Sequence, residues 1–540
     1  MAAAGLALAP LALGWHVLSA GGWTLWEALI LGCLAVNAPW LGLAGATGLA
    51  GLGVRLLARD PAAAVLPALR QGPPEAPIAA RTVIAMCVRL EDMQAVLPPL
   101  DRLLRGLCEA PGERQVAGRF ALAILSDTPD GPAAAAEAAA VARLAARHPP
   151  GAVRYRRRTC NAGFKAGNVM DFFDHHAEGF EFALLLDADS TMSPEAVRRL
   201  VRLMQAEDRL AILQPTIAGR DAGSAFARLF GFGHRHGTRL WATGQAWWQG
   251  PQGAYWGHNA LLRIAPFRAH CRLPTLPGGE AILSHDIVEA ARLHAAGWAV
   301  RVLPDDTGSA ERHPPDLPAM LDRDLRWAAG NLQYRHLLRR RDLGRIGRLQ
   351  MLQATLHYAL TPLWFAQLPL AALNAATGGA EGTPRGALLA LLALGFCLLH
   401  LPKLAGYVEA LLRPARQRRA GFAADMGRET LFTLLLDPVA ALDRTATALR
   451  LLLGRTTGWA PQRRQAGGVA WGFALRRFGA HALVGQALLL GFAEAGWFAV
   501  AVALPAIAGL LLAVPFCVLT ARAEPAGPAP VPTPLATAGG

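Results

Sequence analysis

The sequence predicts an α/β domain on a mostly parallel sheet, inserted between groups of transmembrane helices. Stretches 1–26, 28–54, 349–380, 386–402 and 495–521 contain no Asp, Glu, Lys or Arg, and most exceed the roughly 18 to 20 apolar residues that cross a bilayer core. From residue 81 to about 298, apolar runs alternate with helical stretches, the pattern of strands joined by crossover helices. The run 182–186 ends in Asp187-Ala-Asp189, and open α/β sheets bind ligands outside the carboxyl ends of their strands.

The composition agrees with this division. The 540 residues are 53% hydrophobic and 17% charged, too apolar and too long for one ordinary soluble domain. The first stretch lacks the basic start of a signal peptide and a second span follows it, so it reads as a retained helix. Arg55 and Arg59 follow the second stretch, Arg339, Arg340, Arg341, Arg345 and Arg348 precede the third, and Arg413, Arg416, Arg418 and Arg419 follow the fourth. Basic flanks stay cytoplasmic, which puts the α/β domain in the cytoplasm of a multi-pass protein.

The expected order is therefore two N-terminal transmembrane helices (1–57), a Pro/Ala-rich linker (58–80), the α/β domain (81–345) and a membrane hairpin (349–412). Basic and interfacial or re-entrant helices (413–477), a second hairpin (478–521) and a disordered tail (522–540) complete it. Within 424–453, Asp437, Pro438, Asp443 and Arg444 interrupt an apolar segment, and charge at bilayer depth is costly. A re-entrant or interfacial pair is expected there.

The net charge of +14 does not indicate nucleic acid. The excess lies in juxtamembrane clusters suited to anionic lipid, and no nucleic-acid-binding pattern occurs. The seven cysteines form no CxxC, as expected of reduced thiols.

Strands are expected at 82–88, 120–125, 153–157, 182–186, 211–214 and 260–264, with helices at 92–107, 133–147, 194–206 and 285–296. Carboxylates then line one rim of the sheet: Glu91 and Asp92 after the first strand, Asp127 after the second, Asp187 and Asp189 after the fourth. Such a rim suits a nucleotide and a cation, which needs hard oxygen ligands. The alternative is that each acid caps the helix that follows, a reading that suits Asp92 as well as the site does and Asp127 less well. Lys165 opens a helix between these strands, and Lys165 and Lys403 are the only lysines in an arginine-rich chain; such a choice points to a site where guanidinium geometry is wrong. Asp286 starts another helix, and Arg323, Arg326 and Trp327 lie on one near residue 325. A carboxylate to take a hydroxyl proton and a cation to hold a departing diphosphate would serve group transfer.

In order and spacing, Asp127, Asp187-x-Asp189, Ser284-His285-Asp286 and Arg323-x-x-Arg326-Trp327 resemble the D, DxD, TED and QxxRW signature of processive family 2 glycosyltransferases. A narrower resemblance is to the glucans biosynthesis glucosyltransferase H family. It is carried by Lys165-Ala-Gly-Asn168, Leu186-Asp-Ala-Asp-Ser190, Tyr255-Trp-Gly-His-Asn259, Ile282-Leu-Ser-His-Asp286, Arg326-Trp-Ala-Ala-Gly-Asn331 and Gly458-Trp-Ala-Pro-Gln-Arg463. The resemblance implies a GT-A domain with a Rossmann-like mixed sheet, using UDP-glucose and a divalent metal, Mg2+ or Mn2+. Asp127 would contact uridine, Asp187 the nucleotide sugar and Asp189 the metal. Asp286 would be the base, Arg326 would face the diphosphate and Trp327 would line the acceptor site. Glu91, Lys165 and Arg323 join the substrate-binding set, with His258 and Asn259 assigned to the acceptor.

The implied surroundings are the bacterial inner membrane, a growing β-glucan and a periplasmic glucan-processing partner. The chain departs from the family at Cys87-Val-Arg-Leu-Glu-Asp92, where Arg89 replaces an aromatic expected near the uracil and offers a guanidinium plane in its stead. A cellulose-synthase-like enzyme and a non-catalytic nucleotide-sugar sensor are the alternatives.

Overall fold

Every residue of the apolar run Phe182–Leu186 is buried, as in a central strand covered on both faces. The computed structural model describes residues 1–108 apart from 71, 73 and 75, together with 118–220, 223–412, 419–454 and 466–524. In chain order the strands are β1 Thr82–Val88, β2 Phe120–Ser126, β3 Val153–Arg157, β4 Phe182–Leu186, β5 Thr191–Met192, β6 Leu210–Pro215, β7 Ala218–Arg220, β8 Ala260–Arg263, β9 Ala299–Leu303 and β10 Ser309–Arg312. Seven form one sheet in the order β3-β2-β1-β4-β8-β6-β9, and β5-β10-β7 form a small second sheet. Pairing in the main sheet is parallel except at β8, which runs antiparallel to β4 and β6. The sheet is thus mixed.

β1, β3 and β4 occupy the expected residues, β2 and β8 differ by one residue at one end, and β6 is longer by one residue at each end. β9 of the main sheet was not expected, nor were the three strands of the second sheet, β5, β7 and β10. These three are two to four residues long and exist through pairings such as Ala310 with Ala218 and Thr191, which no local pattern announces. Also unexpected is the helix Ala225–Gln249.

The helical half differs more. Ala2–Leu18 and Leu25–Leu57 are two helices. The second is capped reciprocally: Glu27 N–H donates to Thr24 Oγ1 at 3.1 Å and Thr24 N–H to Glu27 Oε2 at 2.8 Å, a capping box. The apolar stretch from 349 does not enter a span directly. Helix Arg345–Ala359 ends before Thr361–Ala376 begins, and it lies against helix Asp286–Ala295, with Gly347 on Ala291. Met351 is buried with Ile282, Val288 and Tyr334, so the α/β domain extends past 345 and its apolar residues cover protein.

The expected pair within 424–453 is corrected to one helix, Arg419–Leu452, of 34 residues. Its charges meet partners instead of breaking it: Arg444 pairs with Asp324, Asp443 with Arg477 at 2.8 Å and Glu429 with Lys403 at 2.9 Å. Helix Trp471–Ala493 starts earlier than 478. By length and composition Leu25–Leu57 is long and apolar enough to cross a membrane, and the bent pairs Arg385–Leu399 with Leu401–Leu412 (78°) and Trp497–Leu511 with Ala513–Thr520 (58°) qualify if each is one span. Arg413, Arg416, Arg418, the Arg419 side chain, the 458–463 motif and the tail beyond 524 lie outside the described residues.

Helix Ala225–Gln249 joins the two halves. It crosses Leu25–Leu57 where Gly51 meets Gly244, at 3.2 Å from a Cβ built on Gly51 to the Gly244 nitrogen. Beside the crossing, Arg55 Nε donates to Glu409 Oε1 at 2.6 Å with both side chains buried. Removing one partner of such a pair leaves a buried charge uncompensated. A Cβ at Gly244 would run into the Thr47 carbonyl, whereas Gly53 faces open space. Gly244→Ala should therefore cost about 1–3 kcal/mol through overpacking and lower the thermal midpoint of the purified protein, and Gly53→Ala should not; equal midpoints for the two variants would refute this docking.

Candidate functional site

The carboxyl ends of β1, β2 and β4 open onto one crevice. Asp127, directly after β2, donates its backbone N–H to the Val88 carbonyl at 2.9 Å, which ties it to the end of β1. Its carboxylate accepts from Arg158 Nε at 2.5 Å and Nη2 at 3.0 Å, a two-point grip of the kind guanidinium favours. Arg158 also donates to the Ala162 and Phe164 carbonyls at 2.9 and 2.8 Å, so it clamps the loop that carries Lys165.

Lys165 Nζ donates to Asp187 Oδ1 and, at 2.8 Å, to the Gly257 carbonyl. Burial works against its ammonium, but the Asp187 carboxylate prevails and raises its pKa. The rest of the Lys165-Ala-Gly-Asn168 motif holds the helix Phe164–His175 in place. Gly167 packs on the Ala162 carbonyl, where no Cβ fits, and the buried Asn168 donates to Leu125 O at 3.1 Å and accepts from Arg156 at 2.7 Å. On the floor, Cys87 neighbours Lys165, Asp187 and Asp127; burial pushes its thiol up to about 12, so it stays uncharged among them.

Beyond Asp187 the chain turns through Ser190, whose Oγ accepts from Asp187 N–H at 3.2 Å and lies 3.4 Å from His258 Nδ1. Gln214 fixes the loop before β8 from below, accepting from Trp256 N–H at 2.8 Å and donating to His258 O at 3.2 Å. His258 Nε2 lies 3.4 Å from Oε2 of Glu311, on β10. Burial raises the Glu311 pKa, opposed by His258 and Arg323 and reinforced by Asp189 and Asp187. Asn259, expected at the acceptor, makes structural contacts here. It is fully buried at φ +48°, and its Nδ2 donates to Ser309 Oγ at 3.0 Å, which holds β10 against the site.

Asp286 begins the helix Asp286–Ala295. Gly257 lies beside Asp286 at φ +87°, a backbone conformation that glycine adopts without strain. Burial raises the Asp286 pKa, His285 opposes and Glu289 adds to the rise. The buried Glu289 holds His285 Nδ1 at 2.8 Å. Helix Leu317–Gln333 is pinned to the segment before Asp286: Gln333 accepts from Leu283 N–H at 2.9 Å and Tyr334 Oη donates to Ser284 O at 2.9 Å. A Cβ at Gly330 would lie 2.8 Å from Ser284 Cβ. Arg323, Arg326, Trp327 and Gly330 share this helix face by their spacing. Arg323 stacks on the Trp327 ring at 4.6 Å, and Trp327 is half-exposed.

Asp187, Lys165, Asp286, Asp189, His258 and Arg323 thus come together, with Asp127 at the β1–β2 side. Asp92 is a cap, accepting from Gln94 N–H at 2.9 Å. Glu91 is half-buried at the mouth, after Leu90 at φ +57°, and Arg89 is exposed beside it. Arg158, Glu311 and Glu289 escaped sequence reading because each acts through a partner that no motif announces. Among the described residues no group of three or more His, Cys, Asp and Glu could cage a metal. Mg2+ or Mn2+ needs no cage, since one or two carboxylates suffice when diphosphate oxygens and water complete the shell, and Asp189, in electrostatic reach of Glu311, has that chemistry.

Residues 182–404 match the family model described as Glycosyl transferase family group 2. The chain is 31% identical to a glucans biosynthesis glucosyltransferase H of Xanthomonas campestris pv. campestris, over 93% of this chain and 81% of that protein. The counterpart from Caulobacter vibrioides is 33% identical over 94% and 80%, and that of Rhodopseudomonas palustris 34% over 94% and 73%. A mannosyltransferase from Pyrobaculum calidifontis, solved with GDP-Man and Mn2+, superposes with a TM-score of 0.41 at 16% identity, covering 69% of this chain and 98% of that one. On its sequence kinship the chain is a glycosyltransferase and belongs to the glucans biosynthesis glucosyltransferase H family.

Proposed function

We propose that this protein is an inverting, multi-pass glucosyltransferase of the bacterial inner membrane that extends a β-glucan from UDP-glucose and passes it outward, where a periplasmic glucan-processing protein receives it. The observation that carries the reading is the Lys165–Asp187 pair beside Asp286 at the carboxyl ends of the strands. A cation and a buried carboxylate stand together where a diphosphate would leave and a hydroxyl would attack.

In a single displacement, the acceptor hydroxyl oxygen bonds to the anomeric carbon as the bond to the diphosphate oxygen breaks. The hydroxyl proton passes to Asp286, and the electron pair leaves with UDP. Asp127, held by Arg158, meets the uracil and Asp187 the sugar, while Lys165 and Arg326 supply positive charge toward the departing diphosphate. The half-exposed Trp327 gives the acceptor sugar a face to stack on. A divalent cation at Asp189 would act as Lewis acid on the diphosphate oxygens.

Purified protein in lipid nanodiscs should release UDP from UDP-glucose and lengthen a glucan only when Mg2+ or Mn2+ is present. Binding of UDP-glucose without UDP release would favour a sensor instead. Asp286→Asn should abolish transfer, a loss of at least ~10² from base catalysis alone, with UDP affinity within a few fold; retained turnover removes Asp286 from the mechanism. The base must be ionised, and its pKa is raised above 3.8. Activity should therefore fall as pH drops through an acid limb above that value, seen in kcat/KM against pH; a limb at or below the free aspartate value would contradict the assignment.

A further inference from the structure

We propose that Glu311 is a positioning residue that locks the donor loop to the acceptor platform, so that the sugar and the attacking hydroxyl are aligned together. The inference rests on the glycosyl-transfer reading above. Glu311 lies on β10, in the small sheet outside the main one, and its side chain is 21% exposed. On one side its Oε2 faces His258 Nε2 at 3.4 Å, and His258 Nδ1 faces Ser190 Oγ at 3.4 Å. Ser190 in turn accepts the Asp187 N–H at 3.2 Å. That chain runs from Glu311 to the backbone of the donor carboxylates.

On the other side Glu311 acts electrostatically on the half-buried Arg323, whose guanidinium stacks on Trp327 at 4.6 Å. One carboxylate therefore faces two cationic or proton-donating groups, each of which orients a different half of the site. Two further contacts keep β10 in this position, Asn259 Nδ2 on Ser309 Oγ at 3.0 Å and the β7 pairing of Glu311 with Gly219. Removing the charge would free His258 and take from Arg323 the strongest of the carboxylates that act on it, leaving Asp324 and Asp189 to compensate it from other directions. Both halves would remain present but misaligned, and a small misplacement of reacting groups slows transfer severely.

The test uses the full-length protein in nanodiscs with UDP-glucose. Glu311→Gln should lower kcat for UDP release by about 30-fold or more while KM for UDP-glucose and the half-saturating Mg2+ concentration stay within about threefold, the split expected of an alignment defect. Glu311→Asp, which keeps the charge with a shorter reach, should recover part of kcat. Combining Glu311→Gln with His258→Gln should cost no more than the worse single change, because the two act in one network. Unchanged kcat in Glu311→Gln overturns the inference, as does a Mg2+ requirement raised about tenfold or more, which would make Glu311 a cation ligand. If Glu311→Gln fails to fold, Glu311→Asp carries the test, and wild-type kcat in that variant overturns it. A wild type that releases no UDP overturns the transfer reading and this one with it, whereas an active wild type with an unaffected Glu311→Gln overturns this one alone.

Discussion

Several carboxylates gathered in one crevice repel one another, and the site exists because cations are threaded between them. Lys165 holds Asp187 and the Gly257 carbonyl, Arg158 grips Asp127, and Arg323 offsets Glu311 and Asp189. Opposite charges at contact distance are worth several kcal/mol where water is partly excluded, and each of these cations sits on a different element. The charge balance is thus also the scaffold. Asp286, opposed by His285 alone among the cations that act on it most strongly, is a carboxylate whose pKa is raised on balance by its surroundings.

The helix Leu317–Gln333 transmits this arrangement to the helices below. One face carries Arg323, Arg326 and Trp327 into the site; the other buries Asp324, which is held by Arg444 and accepts from Tyr358 Oη at 3.2 Å. Arg444 belongs to the long helix Arg419–Leu452, so a shift of that helix would be felt at Arg323 and Trp327 on the adjoining face. The Gly51–Gly244 crossing and the Arg55–Glu409 pair give the sheet domain a second, separate attachment.

The motifs DxD, Lys165-Ala-Gly-Asn168 and Ser284-His285-Asp286 could be read from sequence because strand, turn and helix start succeed one another within a few residues. The fully buried run Phe182–Leu186 and the Ser193 cap, accepting from Ala196 N–H at 3.1 Å, declare β4 and its following helix by local physics alone. The same locality made Asp92 legible as a cap and left its rival role undecided until Gln94 was seen on its carboxylate.

What the chain alone determined was therefore most strands of the main sheet, the rim of acids, the basic flanks and the family. The tertiary structure decided the partners: Arg158 for Asp127, Glu311 for His258, Glu289 for His285, Arg444 for Asp324. It also decided that Arg345–Ala359 covers protein and that Arg419–Leu452 is unbroken. Hydropathy reports how apolar a segment is and not what it lies against, and a charge reads as an interruption until its counter-charge arrives from an element far away in sequence. Local propensity acts over a few residues, whereas ion pairs and close glycine crossings are formed only when the whole chain has closed around them.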